Sequence, residues 1–226
     1  MKLTNDKILL LLNEKSLLKQ KIYDNTLSVY NILKETLNEL AAGYNYEMKS
    51  GDIRVKLDYS DKGIFDSQLK IAGDLLVFSM HTNIFQFDRD HAVRKTSYVN
   101  NNPLATYCGI INIFNFLSDS FKYNRLDDPG YLIARIFINK DMHYFVEGKR
   151  QLGFLYNNFG KEKICKEIII QIVNTSISYS LEFDLLVPPY DTVKIISVEQ
   201  MVQKIENSKI ITGKRLGFRF NSDDVS

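Results

Sequence analysis

Three residues in one stretch have the types and spacing of a cation site. Asp128 stands at the head of an apolar run, and Glu147-Gly148-Lys149 closes the next one. Carboxylate oxygens are hard ligands that suit Mg²⁺. A bound Mg²⁺ lowers the pKa of its water and clamps a phosphate. The bland alternative is that Glu147 and Lys149 pair with other charges at the solvent end of their strand.

The element that must position them is a β-hairpin over 127–159. Taking Lys140-Asp141 as a two-residue turn places Glu147 opposite Ala134 and Lys149 opposite Leu132. That register puts both charges on the face carrying Leu132, Ala134, Ile136, Ile138 and Phe145, where they need partners, a ligand or the sheet's rim. Asp128 has the same parity but lies four residues beyond Leu132, roughly 13 Å at about 3.3 Å per residue. A bulge or bend at Pro129-Gly130 shortens that gap.

An acidic residue opening one strand, followed by Glu-x-Lys at the end of the next, resembles the site of the PD-(D/E)xK nucleases. The apolar strand His143–Glu147 runs into the Glu-x-Lys as in that pattern. The resemblance covers about 25 residues, has Asp-Pro where the family has Pro-Asp, and recurs in part at Glu47-Met48-Lys49. It implies catalytic roles for Asp128, Glu147 and Lys149. The two carboxylates would hold a divalent cation such as Mg²⁺, the lysine would position or stabilise the attacking water, and nucleic acid would be the substrate.

Two weaker signals stand beside it. Gly148-Lys149-Arg150-Gln151-Leu152-Gly153-Phe154 is echoed by Gly213-Lys214-Arg215-Leu216-Gly217-Phe218. Two such strands would bring Arg150, Lys214 and Arg215 to one anionic ligand; chance similarity of two strands is the simpler account. His81, Asp88, Asp90 and His91 carry metal-ligand chemistry, but DRDH in a polar loop reads first as solvated surface, and no metal site is assigned there. His143 reads as a half-buried strand residue. A Walker loop, GxGxxG, GxSxG and HExxH are all absent from the sequence.

Composition narrows the classes further. The chain of 226 residues is 45% hydrophobic and 25% charged, with a net charge of +2. This is the balance of a soluble globular protein and lacks the strongly basic footprint of one that coats nucleic acid. The apolar run Ile8–Leu12 is too short for a signal-peptide core, and no run approaches the roughly 20 apolar residues of a membrane span. Cys108 and Cys165 stand alone, with no CxxC. The expected setting is the cytoplasm, with both thiols reduced.

The supporting elements follow from periodicity. Residues 5–42 read as helix, interrupted near Asn13–Ser16, with Val29, Leu33, Thr36 and Leu40 on one face and Gly43 as the stop. This helix is long enough to cover a sheet or to form the seam of a homo-oligomer. Strict alternation over Asp52–Ser60 predicts a half-buried strand, and Ile64–Ile71, Leu75–Met80 and Ile84–Phe87 continue an antiparallel meander. Asp88–Asn102 reads as an irregular excursion and a candidate mobile loop. Leu104–Tyr123 suits buried helix or buried strand equally.

A helix is expected at 161–179, with Ile164, Ile168, Ile172, Thr175 and Tyr179 inward. A strand at Val193–Ser197, a helix at Val198–Asn207 opened by a Ser197/Gln200 capping box, and a strand at Lys209–Phe220 complete the chain.

The expected fold is α+β: one domain over 1–226, with a helical segment at 1–43, a mainly antiparallel sheet at 52–157 and a helix-strand-helix-strand segment at 161–220. Later helices are expected on the face opposite the first. The expected function is that of a non-catalytic binding or accessory protein. The alternative is a metal-dependent nuclease that uses Mg²⁺ and acts on nucleic acid.

Overall fold

The computed structural model describes residues 5–48, 51–126, 128–183 and 189–206. Helix α1 (Asn5–Leu11) passes through a π-helical turn (Leu12–Ser16) into α2 (Leu17–Glu47). The interruption expected near Asn13–Ser16 is thus a change of helical pitch, and the axis continues. All of α1 and the π turn is exposed, so no buried packing enforces the α pitch there. Gly43 does not stop the helix, because Tyr44–Glu47 remain helical and Asn45 ties the last turn to β1 (Leu57–Asp61) through both backbone groups of Leu57.

Seven strands are described: β1, β2 (Asp66–Ile71), β3 (Asp74–Met80), β4 (Phe85–Gln86), β5 (Tyr107–Leu117), β6 (Tyr131–Asn139) and β7 (Tyr144–Gly148). They form one antiparallel meander in the order β1-β2-β3-β5-β6-β7. β4 pairs with the start of β5, prolonging the row that β3 begins. The sheet starts later than its alternation suggests. Asp52 accepts from the Arg54 backbone and guanidinium, curling Ile53–Val55 into a 3₁₀ turn and leaving Ile53 and Val55 exposed.

The residues at 104–123 divide. Pro103–Thr106 is a 3₁₀ turn, 107–117 is the central strand β5, and Ser118–Lys122 is a short helix, numbered α4 after α3 (Ser97–Asn101). Periodicity could not decide here because β5 is covered on both faces, which yields a continuous apolar run. On the inner face, Ile111 and Ile113 join Leu69, Leu76, Phe78 and Ile136 beneath Val29, Tyr30, Leu33 and Leu37 of α2. Tyr30 is anchored through its hydroxyl to Phe78 O at 2.9 Å and Ser67 Oγ at 3.1 Å.

The expectation that later helices cover the opposite face fails. Helix α5 (Lys166–Leu181) packs beside α2 on the same core through Ile169, Ile172, Val173 and Ile177. Its buried stripe also takes in Ser176 and Ser180 and leaves Thr175 and Tyr179 at the margin. The outer face carries a smaller core of Phe87, Val93, Val99, Cys108, Ile110, Phe137 and Phe159. The segment at 88–102 therefore roofs the second face with 3₁₀ and α turns. Tyr98 locks it to the β6–β7 turn, donating to Asp141 Oδ2 at 2.8 Å and accepting from Asn139 Nδ2 at 3.0 Å.

That turn also corrects the hairpin register. It has three residues, Lys140 to Met142, closed by Asn139 N–H to His143 O at 3.1 Å, with Met142 at φ 64°. Asn139 Oδ1 accepts from the amides of Asp141 and His143 and holds the turn in place. A residue in the left-handed region is what a three-residue hairpin loop requires. No glycine marks that position, so the length of the turn is not legible from residue types. The slip of one residue sends every side chain of β7 to the other face. Glu147 faces Arg135, and Gly148 faces Ala134.

Toward the C-terminus, α6 (Tyr190–Val193) replaces the start of the expected strand at 193–197, and 195–197 carry no regular structure. Residues 198–206 are helical, and the Ser197/Gln200 capping box is formed reciprocally: Gln200 N–H to Ser197 Oγ at 3.0 Å and Ser197 N–H to Gln200 Oε1 at 3.1 Å. The strand expected at 209–220 lies outside the described residues.

Candidate functional site

One end of the sheet gathers the residues with chemistry to offer. β3 begins there at Asp74, β5 ends at Leu117, β6 begins at Tyr131, β7 ends at Gly148, and α5 ends above them at Leu181. Each ending has a local cause. Ser118 N–H donates to Gly73 O at 2.8 Å, turning the chain out of β5 into α4. Gly130 lies directly against the Phe116 ring, leaving no room for a side chain at that position. β7 stops because Arg150 takes φ 46° and folds Leu152 back under Gly148. A bulge at Ile133, between the pairs Ile113–Ala134 and Phe114–Leu132, puts Tyr131 on the inner face opposite Asn115.

Asp128 lies before β6, where its Oδ2 accepts from Ser120 Oγ at 2.6 Å and approaches Arg125 Nη1 at 3.8 Å. Glu147 lies on the outer face and is bound by the Arg135 guanidinium. The two carboxylates have different partners and line different cavities. The structure does not bring them together. The bulge shortens the path, but Tyr131 is already four positions from Arg135, roughly 13 Å at about 3.3 Å per residue, and Asp128 is three positions further out. Glu147 does not share the apolar face of Ala134, Ile136 and Ile138, which corrects the premise that drew attention to it.

Lys149 is exposed and follows β7, its amide donating to Ile133 O at 2.9 Å. Its side chain borders three adjoining cavities: one of about 230 Å³ with Leu132 and Glu147, one of about 350 Å³ with Arg150 and Glu182, and one of about 310 Å³ with Asn115, Tyr131 and Phe183. Among the described residues it makes no ion pair, whereas Arg150 pairs with Glu182 at 3.2 Å and lies over the Tyr179 ring. Lys214 and Arg215, expected to join Arg150, lie outside the described residues.

The residues that sequence reasoning missed are Asp74 and Asn115. They lie side by side on the inner face beneath the last turn of α5, and Asn115 Nδ2 donates to Asp74 Oδ1 at 3.2 Å. Burial pushes the Asp74 carboxyl above its ordinary value, with Asn115 and Ser180 pulling more weakly the other way. Ser180 leans toward that carboxylate, but its hydroxyl reaches no partner in hydrogen-bond geometry. A signal was available. In IINIFNFL, Asn115 has the parity of Ile111 and Ile113, so a strand reading puts an amide among core residues.

The histidine sites hold no metal-like cluster. His81 accepts from Asn83 N–H and meets Phe85 edge-on, while His91 accepts from Val93 N–H and stacks on Phe87. Asp88 and Asp90 are exposed. Among the described residues no three His, Cys, Asp or Glu side chains converge as ligands of one ion. No helix among them is long and apolar enough to cross a membrane.

No family model, curated protein or solved structure matches this chain. The class is therefore defined by the fold itself: an α+β protein whose antiparallel meander carries helices α2 and α5 on one face. Its distinguishing feature is a group of adjoining cavities at the end of that sheet.

Proposed function

We propose that this is a non-catalytic binding protein that takes a ligand at the open end of the sheet, with an anionic group of that ligand on Lys149. The observation that carries this reading is the placement of Lys149, a cation bordering three cavities with no carboxylate partner among the described residues. Its exposed ammonium is available to an anion entering any of the three. Tyr131, Tyr179 and Phe183 form the apolar side, with ring centroids 5.8 Å apart for Tyr131–Phe183 and 6.3 Å for Tyr179–Phe183. An apolar cleft with a few convergent polar groups is the usual form of a small-molecule site.

The test is an amide chemical-shift titration with inorganic phosphate. Saturable shifts at Ile133, Lys149 and Tyr179 that disappear in Lys149→Ala support the reading; a wild-type spectrum unchanged by phosphate sinks it. The nuclease alternative is tested with Mg²⁺ or Mn²⁺ and mixed DNA and RNA. With Asp128 and Glu147 each engaged elsewhere, no cleavage is expected. Cleavage abolished by Lys149→Ala would replace the binding reading with a catalytic one.

A further inference from the structure

We propose that the pocket floored by Asp74 and Asn115 is a site for an ammonium group, the head of an alkyl or aryl amine. This assignment shares Asn115, Tyr131 and Phe183 with the cleft beside Lys149 but does not require an anion on that lysine.

The pocket, about 260 Å³, is lined by Asp74, Asn115, Phe116, Tyr131 and Phe183, and also by the pair Arg125 and Asp128. Four observations give its chemistry. First, Asn115 is only 4% exposed, and its Oδ1 has no donor among the described residues. Its Nδ2 is committed to Asp74, so the amide orientation is fixed and the oxygen is left as an unanswered acceptor. A buried acceptor without a donor is costly, and Asn115 lines the pocket from which a ligand N–H would answer it.

Second, Asp74 makes no ion pair among the described residues. The nearby cation Arg125 is shared with Asp128 and lies over the Tyr123 ring. The local balance of Asp74, Asp128 and Arg125 is one negative charge, and it sits on Asp74. Third, the pocket lies beneath the C-terminal end of α5, a helix of 16 residues, where the last carbonyls favour positive charge. Fourth, Phe116, Tyr131 and Phe183 supply the apolar and π surface that a cation with a hydrocarbon tail prefers.

These features select among ligands. An anion would meet Asp74, Asp128 and the Asn115 acceptor, with Arg125 already shared with Asp128. A quaternary ammonium would satisfy the rings and the charge but leave Asn115 Oδ1 unanswered. A primary ammonium satisfies all of them at once.

The experiment titrates n-butylammonium into the full chain at pH 7.5, followed by isothermal calorimetry and amide shifts, with tetramethylammonium in parallel. The expected result is saturable binding of n-butylammonium, with shifts at Asn115 and Tyr131, and binding of tetramethylammonium weaker by roughly tenfold. Asp74→Asn, which keeps the shape and the hydrogen bond from Asn115, should weaken n-butylammonium by roughly tenfold or more.

Circular dichroism establishes that the variant is folded; if it is not, the comparison of the two ammonium ions on wild type decides. Absence of n-butylammonium binding overturns the assignment, as does equal affinity for the two ions or unchanged affinity in folded Asp74→Asn. The phosphate titration of Lys149 is unaffected by any of these outcomes, so the two readings fail separately.

Discussion

Helix α2 approaches the sheet very closely at Gly109, and that makes Gly109→Ala an informative perturbation. Gly109 is in β5 directly under Thr26 of α2. A Cβ added at Gly109 would lie 2.8 Å from Thr26 Cβ and 2.9 Å from its Cγ2, and closer still to Oγ1. Neither side can yield cheaply, since Thr26 is fully buried and its hydroxyl donates to Ile22 O at 2.7 Å. Either α2 lifts or β5 bows, loosening the contacts of Val29, Tyr30 and Leu33 further along.

Overpacking costs about 1–3 kcal/mol, and because two principal elements must shift, the upper part of that range, about 2–3 kcal/mol, is expected here. At roughly 2–4 °C per kcal/mol for a chain of this size, Tm should fall by roughly 5–10 °C. Thr26→Ala removes Oγ1 and Cγ2 but keeps the Cβ, so the double variant should recover about 1 kcal/mol relative to additivity. Urea denaturation of the four proteins measures the cycle. A Gly109→Ala cost below about 0.5 kcal/mol, or strictly additive effects, would refute the claim that this contact sets the helix–sheet distance.

Two further predictions concern stability. Gly43 is helical and exposed, with nothing within 4 Å of an added Cβ, so Gly43→Ala should stabilise the protein by about 0.5–1 kcal/mol in the same urea assay. A loss would mean that Gly43 serves a purpose the helix does not explain. At Asp74 burial raises the folded pKa above the unfolded value near 3.9. Folding therefore favours the protonated acid, and the contribution of this group falls as pH rises through the window above about 3.9. Asp74→Asn removes that penalty, so its stability relative to wild type should improve from pH 4 to pH 7; a difference independent of pH would contradict the burial argument.

The sequence by itself determined whatever depends on local chemistry. The buried stripe of α2 from Leu18 to Ala41 follows from apolar spacing, the helical interruption fell where Leu12–Ser16 changes pitch, and the Ser197/Gln200 box formed because its two bonds close within four residues. The α+β class and the meander were legible because short connections between period-two runs allow little else.

Tertiary structure alone decided the rest. The exception is Ile53–Val55, where Asp52 overrode alternation through bonds to Arg54 only two residues away. β5 lost its strand signature because both of its faces are covered. The hairpin register turned on Asn139 holding a three-residue turn with Met142 in the left-handed region, and that one position moved Glu147 from the inner face to Arg135 on the outer. Asp74, Asn115 and Tyr131 are separated by 16 to 57 residues along the chain. Strand pairing and the bulge at Ile133 bring them onto one patch of the inner face, and no pattern confined to a single stretch contains them.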